Sequence, residues 1–277
     1  MKHESVYMFD VDGVLCEIAN PISRDVAKLL ARLLNEEAYV IINTGRGYDR
    51  IHGEVVEPLR GFVKSDNLLD HLFVSTEMGG EVTTFESGIA NTVVGKHSLS
   101  PAQLEITSKI YSENENRITS MHKYHAKKSM FTLVKKHDAD KQVFLEQKTY
   151  IVGKFMEAFQ DDDTVTIATT VESIDVYKKT AGKYAGAEAA YEWLQRVTDL
   201  QHDNFICFGD SHNDYEMARF FAHKNVSVKF VYTGETDLQV DDMHAGVEVV
   251  RSTVPYTGGV VEYLTEHVLD GRRIRQN

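Results

Sequence analysis

Two carboxylates separated by one residue stand at the end of the first apolar run of the chain. Asp10 and Asp12 follow Val6–Phe9, a pattern that predicts a buried strand, and Gly13 allows a sharp turn directly afterwards. On an extended backbone, residues i and i+2 point to the same side. Such a pair can hold one divalent cation, and hard oxygen ligands suit Mg²⁺. The tripeptide alone is weak evidence, because it also fits a solvated acidic turn.

A second acidic cluster follows a second predicted strand, residues 204–208. Asp210 and Asp214 are four residues apart, so they face the same region if a helix begins near Ser211. Ser211 is equally suited to be an ordinary helix N-cap, and Asp214 to be a first-turn carboxylate that complements the helix dipole. That alternative explains less well why another acidic cluster ends another buried strand.

A candidate anion site follows the strand predicted over residues 39–42. Thr44, Gly45 and Arg46 combine a hydroxyl with exposed backbone amides, which together form a site of the size of a phosphate group. One lysine in the same pocket would neutralise both a phosphate and a nucleophilic carboxylate. The candidates for this cation are Lys178, Lys179 and Lys183.

The predicted elements place these segments at the edge of one sheet. Strand, helix and strand alternate over residues 6–42, and the same alternation returns after residue 183, which predicts a parallel sheet covered by helices. Residues 81–182 mix strands and helices without that alternation. We therefore predict an α/β fold: a doubly wound, mostly parallel sheet from residues 1–80 and 183–277, with an inserted α+β domain over residues 81–182.

The bulk composition restricts the class of protein. The net charge of −12 argues against a non-specific nucleic-acid binder. No apolar run approaches the ~20 residues of a membrane span, and the first residues lack the pattern of a signal peptide. A cytoplasmic protein with no nucleic-acid or membrane partner is expected, with Cys16 and Cys207 reduced and buried.

In their order along the chain, these segments resemble the four motifs of the haloacid dehalogenase superfamily. The matching segments are Asp-Val-Asp-Gly-Val-Leu, Asn-Thr-Gly-Arg, a lysine, and Gly-Asp-Ser-His-Asn-Asp, within residues 6–217. The long insertion resembles a type-2 cap. That cap marks a branch that includes sucrose-phosphate, trehalose-phosphate and mannosylglycerate-phosphate phosphatases, sugar phosphatases and phosphomannomutases. In this branch the lysine follows a short strand by a turn, which favours Lys183.

The resemblance implies a role for each acidic residue. Asp10 would attack phosphorus and form an aspartyl-phosphate. Asp12 would protonate the leaving alcohol and then take a proton from water. Mg²⁺ would be held by the Asp10 carboxylate, the Asp12 backbone carbonyl and Asp210, and Asp214 would orient that shell.

The resemblance also assigns the groups around the phosphate. Thr44 and Lys183 would hold the phosphoryl oxygens, and Gly45 and Arg46 would shape the phosphate loop. Asn213 would form a hydrogen bond close to the phosphate and the lysine.

Substrate choice is expected to depend on the insertion. The segment 121–128 mixes lysines, histidines and a tyrosine, and Lys123 and His125 are its candidate substrate contacts. A solvated surface loop is the alternative interpretation of this segment.

The sequence thus predicts a Mg²⁺-dependent phosphatase, monomeric or homodimeric, acting on a small phosphorylated metabolite such as a sugar or polyol phosphate. Three alternatives remain. A phosphomutase would use the same Asp10 and Asp12, and a non-catalytic metabolite-binding protein could share the scaffold. An Asp-x-Asp glycosyltransferase would leave the Gly-Asp-Ser-x-Asn-Asp segment without an explanation.

Overall fold

The computed structural model describes residues 5–18, 20–124, 127–198, 204–240 and 243–270. The chain forms two compact units. The core unit consists of residues 1–93 and 182–277, and the inserted unit consists of residues 94–181.

Strands in both units are short, with four to six residues in most of them. In chain order the strands of the described residues are β1 (Val6–Phe9), β2 (Tyr39–Asn43), β3 (Leu72–Thr76), β4 (Glu81–Glu86), β5 (Ile89–Val94), β6 (Met121–Lys123), β7 (Phe131–Lys135), β8 (Val165–Thr169), β9 (Ser173–Lys178), β10 (Phe205–Gly209), β11 (Val228–Tyr232) and β12 (Val247–Arg251).

Helices lie between the strands. The α-helices of the described residues are α1 (Arg24–Asn35), α2 (Tyr48–Ile51), α3 (Glu57–Arg60), α4 (Pro101–Asn114), α5 (Lys141–Ala158), α6 (Lys183–Val197), α7 (His212–His223) and α8 (Thr257–Tyr263). π-Helical segments span His52–Val56 and Leu264–Asp270, and 3-10 turns span Asp66–His71 and Glu77–Gly79.

The core unit is built on one eight-stranded sheet. Its order is β12-β11-β10-β1-β2-β3-β4-β5, with parallel pairing from β12 to β3 and an antiparallel β4 beside β3. The central strands are mostly apolar and are buried along their whole length because both faces are covered, as is usual in parallel sheets. Within β1, Tyr7 and Phe9 pack on one face, and Val6 and Met8 pack on the other.

The two faces carry different helices. One face packs against α1, α3 and α8, through residues such as Leu30, Leu59 and Val260. The opposite face packs against α6 and α7, through residues such as Trp193 and Phe221. The prediction of a doubly wound, mostly parallel sheet is confirmed.

The first predicted domain boundary differs from the structure. The sequence predicts that residues 81–93 belong to the insertion, but they lie in the core unit, where β4 and β5 extend the main sheet. The cause is that an alternating antiparallel hairpin has the same sequence pattern whichever sheet it joins.

The inserted unit has its own antiparallel sheet, in the order β6-β7-β9-β8. Helices α4 and α5 contribute to its core, where Phe144, Ile151 and Phe155 pack against Leu133 and Ile174 of the sheet. This arrangement is the α+β insertion that the sequence predicts.

Among the described residues, no helix combines the length and the apolar character needed to cross a bilayer. Cys16 and Cys207 are unpaired and buried. Burial raises the pKa of the Cys207 thiol well above its ordinary value.

Candidate active site

Asp10 lies at the carboxyl end of β1, in the centre of the core sheet. Its backbone N–H donates to the carbonyl of Phe208 on β10, at 3.1 Å, so the ladder fixes its position beyond the strand end. The residue is only 7% exposed, and its carboxylate accepts a hydrogen bond from the Lys183 ammonium. Ligands of open α/β sheets bind beyond the carboxyl ends of the strands, and Asp10 stands at that position.

Lys183 is the first residue of α6 and connects three segments of the chain. Its Nζ donates to the backbone carbonyl of Asn43 at 2.7 Å and lies 2.9 Å from Asp214 Oδ1. The Asn43 side chain in turn donates to the carbonyl of Lys183 at 2.8 Å. Gly186 permits this approach, since a Cβ there would overlap the Asn43 amide. Of the three candidate lysines, Lys183 is therefore the one beside Asp10.

Asp214 joins the start of α7 to the lysine. Its Oδ2 accepts hydrogen bonds from the backbone N–H and the hydroxyl of Ser211, at 3.1 and 2.6 Å. Its Oδ1 faces Lys183. Asp214 therefore caps α7, as the helix-cap interpretation predicts, and it also contacts Lys183.

Asp210 approaches the other carboxylates through a space that a glycine leaves open. Gly13 has a φ of +79°, and a Cβ at this position would overlap the Asp210 carboxylate. Gly13 thus adopts the positive φ that the turn after Asp12 requires, and its lack of a side chain also allows Asp210 to approach closely.

The three carboxylates form a group that could hold a cation. Ligand atoms of Asp10, Asp210 and Asp214 all lie within 4.8 Å of one another. Hard oxygen donors of this kind suit Mg²⁺, which is usually bound by a few carboxylates plus water and substrate oxygens. The donor set therefore fits the metal expected from the sequence. The carboxylate of Asp12 is not part of this group.

The pKa values describe the cost of assembling these charges. Burial raises the pKa of Asp10 to about 6, although Lys183 acts in the opposite direction. Burial, together with the nearby Asp214 and Asp10, raises the pKa of Asp210 to about 7. Burial also opposes the charge of Asp214, but Lys183 and Ser211 outweigh it and lower the pKa of Asp214. A bound cation would offset the repulsion that remains.

Asp12 is held by a different cation. Arg46 Nε donates to Asp12 Oδ2 at 2.9 Å, and Arg46 Nη2 donates to Asp12 Oδ1, so the guanidinium binds the carboxylate with two parallel hydrogen bonds. This fork geometry fixes both the position and the plane of the carboxylate. The strand has ended at Phe9, so the same-side rule for residues i and i+2 no longer applies to Asp10 and Asp12.

Arg46, which the sequence assigns to the phosphate loop, has several partners besides Asp12. Arg46 is buried, and its Nη1 donates to the Asn20 carbonyl at 3.2 Å and to the Glu54 carboxylate. Its Nη2 also lies 3.4 Å from Cys16 Sγ. Sequence analysis missed Glu54, which lies in the π-helical segment after α2 and belongs to no motif.

The backbone of the predicted phosphate loop lies close to the sheet. Thr44 N–H donates to the Ser75 carbonyl at 2.9 Å, and Thr44 Oγ1 accepts from the Arg46 N–H at 3.2 Å. Gly45 is exposed, and its nearest neighbour for a Cβ is Met78 Cγ at 3.8 Å. The loop therefore leaves open space at Gly45.

The remaining candidates are Asn213 in the core unit and three residues of the inserted segment, Lys123, His125 and Lys178. Asn213 is exposed on the first turn of α7. Lys123 lies on β6 of the inserted unit, where its Nζ donates to Ser108 Oγ at 3.2 Å. His125 lies outside the described residues. Lys178, in the same unit, donates from Nζ to the carbonyl of Lys96 at 2.9 Å.

The carboxylate group predicts a specific response to metal. Mg²⁺ at about 100 times its Kd would stabilise the fold by roughly 2.7 kcal/mol, which corresponds to a rise in Tm of about 5–10 °C for a chain of this size. In Asp210→Asn we expect the Mg²⁺ effect to disappear, while the Tm without metal stays equal to that of the native protein or exceeds it, because one of three repelling carboxylates is removed. Thermal denaturation with Mg²⁺ and with chelator measures both. A full Mg²⁺ effect in the variant would contradict the assignment.

Gly13 offers a second, steric test of the same group. In Gly13→Ala the new methyl group is expected to displace Asp210 and weaken Mg²⁺ binding by about tenfold or more, beyond the strain of a positive φ. Titration calorimetry with Mg²⁺ measures the affinity. Gly53→Ala is the matched control, because a Cβ at Gly53 meets no atom within 4 Å. Equal affinity in Gly13→Ala and the control would show that Asp210 does not depend on Gly13.

Solved structures with a similar fold include several phosphatases. Trehalose-6-phosphate phosphatase of Aspergillus fumigatus aligns at 17% identity with a TM-score of 0.57, covering 95% of this chain and 92% of that chain. The C-terminal domain of the C. albicans trehalose-6-phosphate phosphatase aligns at 16% identity with a TM-score of 0.62, covering 95% and 91%. A haloacid dehalogenase-like hydrolase from Bacteroides thetaiotaomicron aligns at 12% identity with a TM-score of 0.62, covering 95% and 98%. At these identities the likeness concerns the fold.

Among curated proteins, no sequence matches this chain. Residues 84–225, just over half of the chain, match the family model of haloacid dehalogenase-like hydrolases. The matched range contains Lys183, Asp210 and Asp214, and the segments of Asp10 and Thr44 precede it. The chain therefore belongs to the haloacid dehalogenase-like hydrolases.

Proposed function

We propose that the protein is a Mg²⁺-dependent phosphatase that hydrolyses a small phosphate monoester through a covalent intermediate on Asp10. The observation that carries the proposal is the buried contact between Asp10 and Lys183, with Asp210 and Asp214 beside it. A carboxylate at the open end of a parallel sheet, paired with one cation and near further acidic ligands, is suited to attack a phosphorus atom.

In the first step an Asp10 carboxylate oxygen forms a bond to phosphorus, and the ester P–O bond breaks. The leaving oxygen takes a proton from Asp12, and the phosphoryl group remains on Asp10 as a mixed anhydride. Lys183 stabilises the charged form of Asp10 before attack and can contact a phosphoryl oxygen afterwards.

In the second step water attacks the phosphorus, and the bond between phosphorus and Asp10 breaks. Asp12 takes the proton from the water, so both Asp10 and Asp12 return to their starting forms. The Arg46 fork holds the Asp12 carboxylate in one position and one plane through both proton transfers. Arg46 is thus proposed as a positioning residue for Asp12.

Mg²⁺ held by Asp10, Asp210 and the Asp12 carbonyl, with Asp214 nearby, would supply positive charge against the phosphoryl oxygens. Thr44 is proposed to donate to a phosphoryl oxygen from its hydroxyl, which already lies beside the Arg46 N–H in a tight loop. Gly45 leaves room for the backbone to approach the phosphate.

A sugar or polyol phosphate is the proposed substrate class. Support comes from the inserted α+β unit, which resembles a type-2 cap, and from the fold shared with trehalose-6-phosphate phosphatases. The inserted unit would select the alcohol part of the substrate, and its polar candidates include Lys123 and His125. The protein is proposed to act in solution on a metabolite of this kind.

The proposed chemistry can be tested by phosphate release from a panel of sugar, polyol and nucleoside phosphates, with Mg²⁺ and with chelator. We expect Mg²⁺-dependent release by the native protein and loss of at least about a thousandfold in Asp10→Asn, because the amide is a poor nucleophile. Release that survives in Asp10→Asn would contradict the covalent mechanism. Release that requires a bisphosphate activator would indicate a mutase instead.

The position of Arg46 predicts a kinetic signature. Because its guanidinium binds Asp12, Arg46→Met is expected to lower kcat by roughly 10- to 100-fold while KM changes by less than about threefold. A phosphate-binding role, as the sequence alone predicts, would instead raise KM. Steady-state kinetics on the best substrate of the panel separates the two.

Two further variants control this experiment. Arg46→Lys keeps the charge but loses the fork, so its kcat should lie between those of the native protein and Arg46→Met. In an Asp12→Asn background, Arg46→Met should cause little additional loss, since both act on one step. Full additivity of the two changes would contradict the positioning role.

A further inference from the structure

The strand β5 forms one open edge of the core sheet. None of the described residues adds a strand beyond it. Its sequence, Ile-Ala-Asn-Thr-Val-Val, contains no charged residue, and its side chains are almost all exposed. Ile89 is 73% exposed and Val93 is 51% exposed. Such an edge offers unpaired backbone groups and apolar side chains to another strand.

The opposite edge of the same sheet is protected. The strand β12 carries Glu248, paired with Lys229 at 3.1 Å, and Arg251, paired with Asp237 at 2.5 Å. Charged side chains on an edge strand discourage pairing with another chain. The contrast singles out β5 as the edge that is suited to an interface.

The hairpin of β4 and β5 is fixed to the core unit. Its two turn residues, Ser87 and Gly88, both have a positive φ, at 51° and 75°. Two-residue loops that connect the strands of a hairpin commonly have this conformation. The Asp70 carboxylate accepts both of their backbone N–H groups, at 3.0 and 2.9 Å. Arg60 donates to the Gly88 carbonyl at 2.7 Å. A preorganised edge loses little conformational freedom on binding.

The hairpin also determines which backbone groups of β5 point outward. A two-residue turn makes Glu86 and Ile89 the first hydrogen-bonded pair, and the pairs then alternate along the hairpin. Thr83 and Thr92 are consequently a non-hydrogen-bonded pair, which agrees with the 2.7 Å between their Oγ1 atoms. The N–H and C=O groups of Ala90 and Thr92 therefore point away from β4.

We propose that β5 pairs with β5 of a second copy of this chain, antiparallel and centred on Asn91. In that register the outward groups of Ala90 form a hydrogen-bonded pair with those of Thr92 in the other copy. Ile89 then lies opposite Val93 in the non-hydrogen-bonded positions, where side chains approach most closely. The twofold axis repeats each of these pairs, and the two core sheets become one continuous sheet.

The properties of the β5 edge favour a second copy of this chain as its binding partner. One short strand supplies matching donors, acceptors and apolar partners to its own copy, which is the condition for a twofold interface. Each chain carries a net charge of −12, so an uncharged contact surface avoids adding local like-charge repulsion to the overall repulsion between two copies. Residues 89–94 provide such a surface. The inference is independent of the proposed phosphatase activity.

A cross-linking experiment tests the register. Asn91 faces itself across the axis in a non-hydrogen-bonded position, so Asn91→Cys is expected to form an intermolecular disulfide under mild oxidation. Val171→Cys is the matched control, because Val171 is 77% exposed in the turn between β8 and β9 of the inserted unit. The native cysteines are both buried and should not contribute. Equal cross-linking of the two variants would overturn the proposed register.

The oligomeric state tests the interface itself. Sedimentation and light scattering across a range of protein concentrations should detect a dimer for the native chain. Val93→Lys places a charge opposite Ile89 twice and should weaken dimerisation by about tenfold or more, whereas Val171→Lys should leave it unchanged. Ala90→Pro removes only an outward donor and should have the same effect as Val93→Lys. A native chain that stays monomeric throughout, or a dimer unaffected by both edge variants, would overturn the proposal.

Discussion

The rest of the site depends on the ion pairs that the buried ammonium group of Lys183 forms with two carboxylates. Asp10 and Asp214 both lie against it, and both are almost completely removed from water. Two like charges about 4 Å apart repel by on the order of 4 kcal/mol at the effective dielectric of protein sites. Lys183 offsets that repulsion because it attracts both carboxylates. The same two carboxylates hold the pKa of Lys183 above its ordinary value, against the effect of burial.

Several segments must meet for this arrangement to exist, and the strand order of the sheet brings them together. β10, β1 and β2 are neighbours, so Asp10, Asp210 and Asn43 emerge at the same edge. Helix α6 then begins directly above Asn43, with Gly186 allowing the close contact. Gly209 has the same function under Asp214, since a Cβ there would overlap the Asp214 side chain. Gly13, Gly186 and Gly209 are therefore places where another side chain approaches the backbone closely.

Much of this arrangement can be predicted from the sequence, because parallel strands impose it. If the apolar runs before Asp10 and Asp210 are parallel strands of one sheet, both residues lie at the same edge of that sheet, independently of how the helices pack. The choice of Lys183 needed the resemblance to a family, since periodicity does not distinguish it from Lys178 and Lys179. The place of residues 81–93 cannot be predicted in the same way, because the pattern of a hairpin does not indicate which sheet the hairpin extends.

The contact between Arg46 and Asp12 is the feature least accessible to sequence reasoning, and it gives two neighbouring aspartates different surroundings. Asp10 and Asp12 are separated by one residue, yet each is bound to its own cation, Lys183 or Arg46. Because the strand ends at Phe9, the backbone changes direction and the Asp12 carboxylate faces the buried guanidinium of Arg46. Glu54 also forms an ion pair with that guanidinium. Two carboxylates sharing one cation would titrate as a coupled pair. In the proposed mechanism, separate partners would allow Asp10 to serve as nucleophile while Asp12 exchanges protons.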